Sequence, residues 1–76
     1  MRVAVEIELF GQLAPQVARR QSLALERPTT VQDIALQLGL KLDDIGLVSI
    51  NGVQVELQEL APLTCRLCFF PPLSGG

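Results

Sequence analysis

Histidine is missing altogether from the 76 residues, and with it the imidazole that most often activates a Ser or Cys nucleophile and most often ligates zinc or iron. A self-contained hydrolase or metalloenzyme is not expected. Lysine appears once, at Lys41, and six Lys+Arg against eight Asp+Glu give a net charge of −2. No basic cluster is there to neutralise a row of phosphates, so nucleic acid is not an expected partner. Long apolar runs are also wanting. Glu6 and Glu8 interrupt the amino-terminal stretch before signal-peptide length, and nothing approaches the roughly 20 residues that span a bilayer. No membrane partner and a cytoplasmic location are the expectations. What the chain does have is apolar material for one core, 49% hydrophobic against 18% charged, far from the compositions that stay unfolded. It is too short for two domains and should fold without metal or disulfide staples, with modest stability.

Along residues 2–10, Val3, Val5, Ile7 and Leu9 fall on one face and Arg2, Glu6 and Glu8 on the other, the period-two signature of a half-buried strand. Leu23 and Leu25 repeat that period, so a second strand pairs with the first as a hairpin across a long loop punctuated by Gly11 and Pro15, free enough to move. A helix follows. Thr30 is placed to accept from the backbone N–H of Asp33, Val31, Ile34, Ala35 and Leu38 form one apolar stripe, and Gly39 supplies a left-handed stop. Leu47–Ile50 and Val53–Val55 flank Asn51-Gly52, the pair that suits a type I′ hairpin turn. Thr64–Phe70 is the last strand, ended by Pro71-Pro72, whose missing N–H groups cannot extend a ladder. Within it Leu67 and Phe69 share the core parity and Phe70 faces outward. The economical solution is an α+β domain, with one helix across one face of a mixed sheet of about five strands.

Cys65 and Cys68 make a C-x-x-C, but three residues along a strand put them on opposite faces and roughly 10 Å apart. That is too far for a disulfide, and zinc lacks further ligands, so both read as structural cysteines. Lys41 at the helix end, Asp43-Asp44 in a turn and Arg19-Arg20 in the loop read as solvated charges ahead of any role in ion or partner binding. No metal site is expected.

The chain closes on Pro71-Pro72-Leu73-Ser74-Gly75-Gly76. The prolines stiffen the exit from the sheet, Ser74 is small, and the glycines strip side chains from the end, so that a terminal carboxylate can enter a narrow channel. Fully extended, six residues reach roughly 20 Å. Together with the element order, Ile50-Asn51-Gly52 and the opening Val5–Phe10 strand, the Phe70–Gly76 ending resembles the MoaD/ThiS family of ubiquitin-like sulfur carriers, most closely the small subunits of molybdopterin synthase (MoaD). The resemblance implies a β-grasp domain over residues 1–70, with first and last strands side by side at the sheet centre, and a flexible Gly-Gly tail over 71–76.

It also implies a chemistry. A ubiquitin-activating-type adenylyltransferase (MoeB-like) would use Mg-ATP to convert the Gly76 carboxylate to an acyl-adenylate, and sulfur transfer would leave a C-terminal thiocarboxylate. Residues Pro71, Pro72, Leu73, Ser74 and Gly75 would insert with it into a large synthase subunit (MoaE-like), donating sulfur for molybdenum cofactor biosynthesis. The chain itself would bind no cofactor and serve as a non-catalytic, sulfur-donating small subunit. Phe70 and Leu73 are the candidate partner interface, with Phe10 or Leu60 beside them. Leu60-Ala61-Pro62-Leu63 reads as a hydrophobic turn where relatives commonly carry an acidic glycine turn, which bears on which activating enzyme is used. A ThiS-like carrier for thiamine or another sulfur metabolite, a ubiquitin-like modifier joined through Gly76 to lysines, and an interaction domain whose tail does no chemistry are the competing readings.

Overall fold

A computed structural model describes residues 3–73. Its centre is a parallel pair, β1 (Val5–Leu9) against β7 (Cys65–Phe70), in register from Val5 opposite Cys65 to Leu9 opposite Phe69. The hairpin partner β2 (Arg20–Leu23) flanks β1, while β4 (Leu47–Ile50) and then β5 (Val53–Val55) flank β7. The sheet therefore runs β2-β1-β7-β4-β5, with first and last strands adjacent as the β-grasp reading expects. Asn51 and Gly52 both take positive φ, 52° and 86°, as a type I′ turn between β4 and β5 requires.

Helix α1 (Val31–Gln37) covers one face of this sheet. Its stripe of Val31, Ile34 and Ala35 is buried with Val5, Ile7 and Leu9 of β1, Val48 of β4 and Leu67 and Phe69 of β7. The expected cap is present: the Asp33 N–H donates to Thr30 Oγ1 at 3.1 Å, and Gly39 ends the helix at φ 87°. A single 3-10 turn, Leu42–Asp44, leads on to β4, with Asp43 and Asp44 both exposed.

β2 stops at Leu23, short of the expected Leu25, and three further departures from the sequence reading bear on the core and the loop. Val3 has the core parity but stands ahead of the first paired residue, Val5, and is 47% exposed. Leu60-Ala61-Pro62-Leu63 is not simply a turn. Leu60–Ala61 is a two-residue strand, β6, paired antiparallel with β3 (Thr29–Thr30), and Ala61 is fully buried. The residues just before β6 serve the helix start, where the N–H groups of Val31 and Gln32 lack intrahelical acceptors and donate to Glu59 and Leu57 carbonyls, each at 2.9 Å.

Arg19 is the third departure. Rather than a solvated charge, its guanidinium lies beneath the β1–β2 loop and donates to the carbonyls of Gly11 (2.9 Å), Leu13, Ala14 and Val17. With Leu13 buried in the core, the long loop is pinned at both levels. Arg19→Ala is expected to cost about 2 kcal/mol, the scale of hydrogen bonds to a charged donor, read as a lowered urea midpoint. Arg19→Lys should restore only part, because an ammonium cannot span carbonyls that a planar fork reaches together.

Both cysteines are free and buried. Cys65 pairs in register with core-facing Val5, Cys68 with Glu8 and Ser49 of the opposite face. Burial pushes the Cys65 thiol above its ordinary value, so the folded state holds that proton more tightly than the unfolded chain. The associated stability is complete below the ordinary thiol range and is lost as pH rises from there through the higher folded value. Unfolding free energy should therefore decline above about pH 8.5, and decline less steeply in Cys65→Ala.

Candidate functional site

The helix leaves one face of the sheet open, and strand parity decides what that face carries. From β1 come Glu6 and Glu8, from β2 Arg20 and Ser22, from β7 Arg66, Cys68 and Phe70, and from β4 Leu47 and Ser49. The polar residues neutralise one another. Glu8 accepts from Arg66 at 2.7 Å and pairs with Arg20 at 3.5 Å, and Glu6 accepts from the Ser22 hydroxyl at 2.8 Å. The hydrogen bond to Glu8 raises Arg66 further from its ordinary value.

The far end of the same face is apolar. Phe10, one residue beyond β1, is held to β7 by its N–H donating to the Phe69 carbonyl at 3.0 Å. Its ring lies on that of Phe70, centroids 4.5 Å apart and planes within 10°. Leu47 sits opposite Phe70 in the β4–β7 ladder and is partly exposed. Such a stack is worth about 1 kcal/mol beyond its buried area. Phe10→Leu, which keeps most of the apolar surface, is therefore expected to lower stability by about that much, measured by chemical denaturation.

The tail leaves from this end. Past Phe70, Pro71 is half-buried and packs on Gly11, the backbone of Pro72 passes Gly46, and Leu73 is 98% exposed. Ser74, Gly75 and Gly76, the remaining candidates of the tail, lie outside the described residues. Of the candidate interface residues, Phe70 and Phe10 are brought together beside the tail root. Leu60 is in the small sheet opposite Thr30, not in the ladder that carries Phe70. Leu47 had no role in the sequence reading, although its parity relative to the core residue Val48 was enough to put it on the open face. Among the described residues no three Cys, Asp or Glu side chains gather as a metal group would require, and no helix is long and apolar enough to cross a membrane.

No family model and no curated protein matches the sequence. The structure, by contrast, is similar to solved ones. The crystal structure of SAMP1 from Haloferax volcanii superposes with a TM-score of 0.71 at 28% identity, covering 96% of this chain and 99% of that one. A crystal structure of H. volcanii small archaeal modifier protein 1 gives 0.68 at 27% identity, over 93% and 99%. The likeness runs through nearly the whole of both chains, and with the strand order above the fold is a ubiquitin-like β-grasp.

Proposed function

We propose that this chain is a ubiquitin-like carrier whose Gly76 carboxylate is activated as an acyl-adenylate and then passed on, in the first reading as a protein modifier. The observation that carries it is the tail root. The chain leaves the domain at the one apolar end of its open face, with exposed Leu73 beyond Pro71-Pro72 and the Phe10–Phe70 stack and Leu47 beside it. A partner docked on those side chains would receive the carboxyl end in its own active site. The similar structures described as a modifier protein support the same direction.

The chemistry needs little from this chain beyond the free end. A carboxylate oxygen of Gly76 attacks the α-phosphorus of Mg-ATP, the bond to the bridging oxygen breaks and pyrophosphate leaves. An amine of a target protein then attacks the Gly76 carbonyl. AMP departs, the amine gives a proton to a base of the partner, and an isopeptide bond remains. The domain's part is to dock and to hold the tail in line.

The second reading is sulfur carriage, favoured by the Phe70–Gly76 ending and its resemblance to the sulfur-carrier family. Hydrosulfide or its enzymic equivalent replaces the amine, AMP again departs, and a thiocarboxylate results, with molybdopterin synthesis as one use and thiamine as another. The two readings separate by intact mass. The purified chain is incubated with a MoeB-like adenylyltransferase, Mg-ATP and sulfide, and an amino-terminally tagged copy is followed in its own cells. Tagged conjugates of high mass that vanish when Gly76 is deleted support the modifier. A gain equal to sulfur for oxygen, without conjugates, supports the carrier. Neither product contradicts both.

A further inference from the structure

Gly46 is a glycine for an unusual reason. Its φ is not positive, so its own backbone does not demand the residue. Its surroundings do. A Cβ at this position would stand 2.4 Å from Pro72 Cα, 2.6 Å from Pro72 N and 2.7 Å from the Pro71 carbonyl oxygen, all of them backbone atoms. No rotamer change can relieve such contacts. The same residue donates its N–H to the Phe70 carbonyl at 2.8 Å. On the other side, a Cβ at Gly11 would meet Cγ of the Pro71 ring at 2.8 Å. Pro71-Pro72 is thus threaded between two side-chain-free points, one on the loop after β1 and one just ahead of β4.

We propose that Gly46, with Gly11 opposite, is a positioning pair that aims the tail, fixing the direction in which Leu73 leaves the sheet. The inference rests on the reading of Gly76 as the activated end and adds which residues set its course. Each proline fixes its own φ, so the direction set at Pro72 is transmitted rather than lost at the root. The four residues beyond Pro72, once drawn out in a partner's channel, would make a lever of about 13 Å. A swing of ~10° at the root then moves the end by ~2 Å, and reacting groups misplaced by about 1 Å can lose 10²-fold in rate. Docking, in contrast, uses the side chains of Phe10, Phe70 and Leu47, whereas the nearest atoms beyond its chain neighbours that a Cβ at either glycine would meet belong to Pro71 and Pro72.

Gly46→Ala is the test, assayed with a MoeB-like adenylyltransferase and Mg-ATP. Adenylylation is expected to keep its KM within about twofold and lose roughly tenfold or more in kcat. The nuclear Overhauser contact between Gly46 and Pro72 protons of the isolated protein should weaken or shift. Val31→Ala, a core change in the helix, controls for lost stability and should retain kcat wherever it is folded. If Gly46→Ala does not fold, Pro71→Gly removes the ring seated on Gly11 beyond the last sheet residue and is expected to show the same split. Wild-type kcat in a folded Gly46→Ala or in Pro71→Gly overturns the positioning role while leaving the carrier reading standing. Failure of the wild-type chain to be adenylylated overturns that reading, and the positioning role with it.

Discussion

Adding a single alanine after Gly76 is expected to reduce activation by about 10²-fold or more while leaving the melting temperature unchanged. The extension converts the Gly76 carboxylate into an amide, which cannot attack the α-phosphorus. It also moves the new carboxylate outward by about 3.5 Å, behind a methyl group that the two glycines had kept out of the channel. None of the sheet or helix contacts is touched, since the ladder ends at Phe70. The comparison is made with the same activating enzyme by following pyrophosphate release, with thermal unfolding as the control. A chain extended in this way that is activated at the normal rate contradicts every reading in which Gly76 reacts.

The second large effect belongs to the core. Phe69→Ala is expected to cost about 3–5 kcal/mol, the sum of lost transfer energy and the cavity left behind. Phe69 is the largest of the fully buried side chains and stands between β1, where it pairs with Leu9, and β4, where it pairs with Val48. A domain of this size holds only about 4–11 kcal/mol against unfolding at about 0.05–0.15 kcal/mol per residue. The variant should therefore lose a large share of that margin, seen as a lowered urea midpoint and melting temperature, and lose activity wherever it unfolds. Phe70→Ala, one residue on but facing the open side, is expected to remain folded and lose partner affinity instead. The contrast between neighbours is what strand parity requires.

Much of this architecture was legible because it depends on local patterns. The alternation through Val5, Ile7 and Leu9, the Thr30 cap with the Val31–Leu38 stripe, and Asn51-Gly52 each carry their signal within a few residues. What escaped depends on contacts distant in sequence. Leu60–Ala61 and Thr29–Thr30 are too short to show a period, and only their pairing makes them strands. Arg19 looks like any loop cation until the loop folds over it. Gly46 shows nothing in the sequence of its role, because the atoms that exclude a Cβ come from Pro71 and Pro72, 25 and 26 residues later. Val3 illustrates the opposite error, in which a correct parity outran the ladder that gives parity its meaning. The site was legible in part: Phe70, Pro71, Pro72 and Leu73 drew attention by their position before the glycines, whereas Leu47 and the two flanking glycines came only with the structure.

The central idea is that the end of this chain is an acyl group to be energised, and exchange of radiolabelled pyrophosphate into ATP tests it directly. A MoeB-like adenylyltransferase is supplied with Mg-ATP, labelled pyrophosphate and the chain ending at Gly76, with the alanine-extended chain in parallel. Exchange that requires the first chain and is absent with the second is the result expected. Exchange that is the same with both, or no greater than with the enzyme alone, would contradict it.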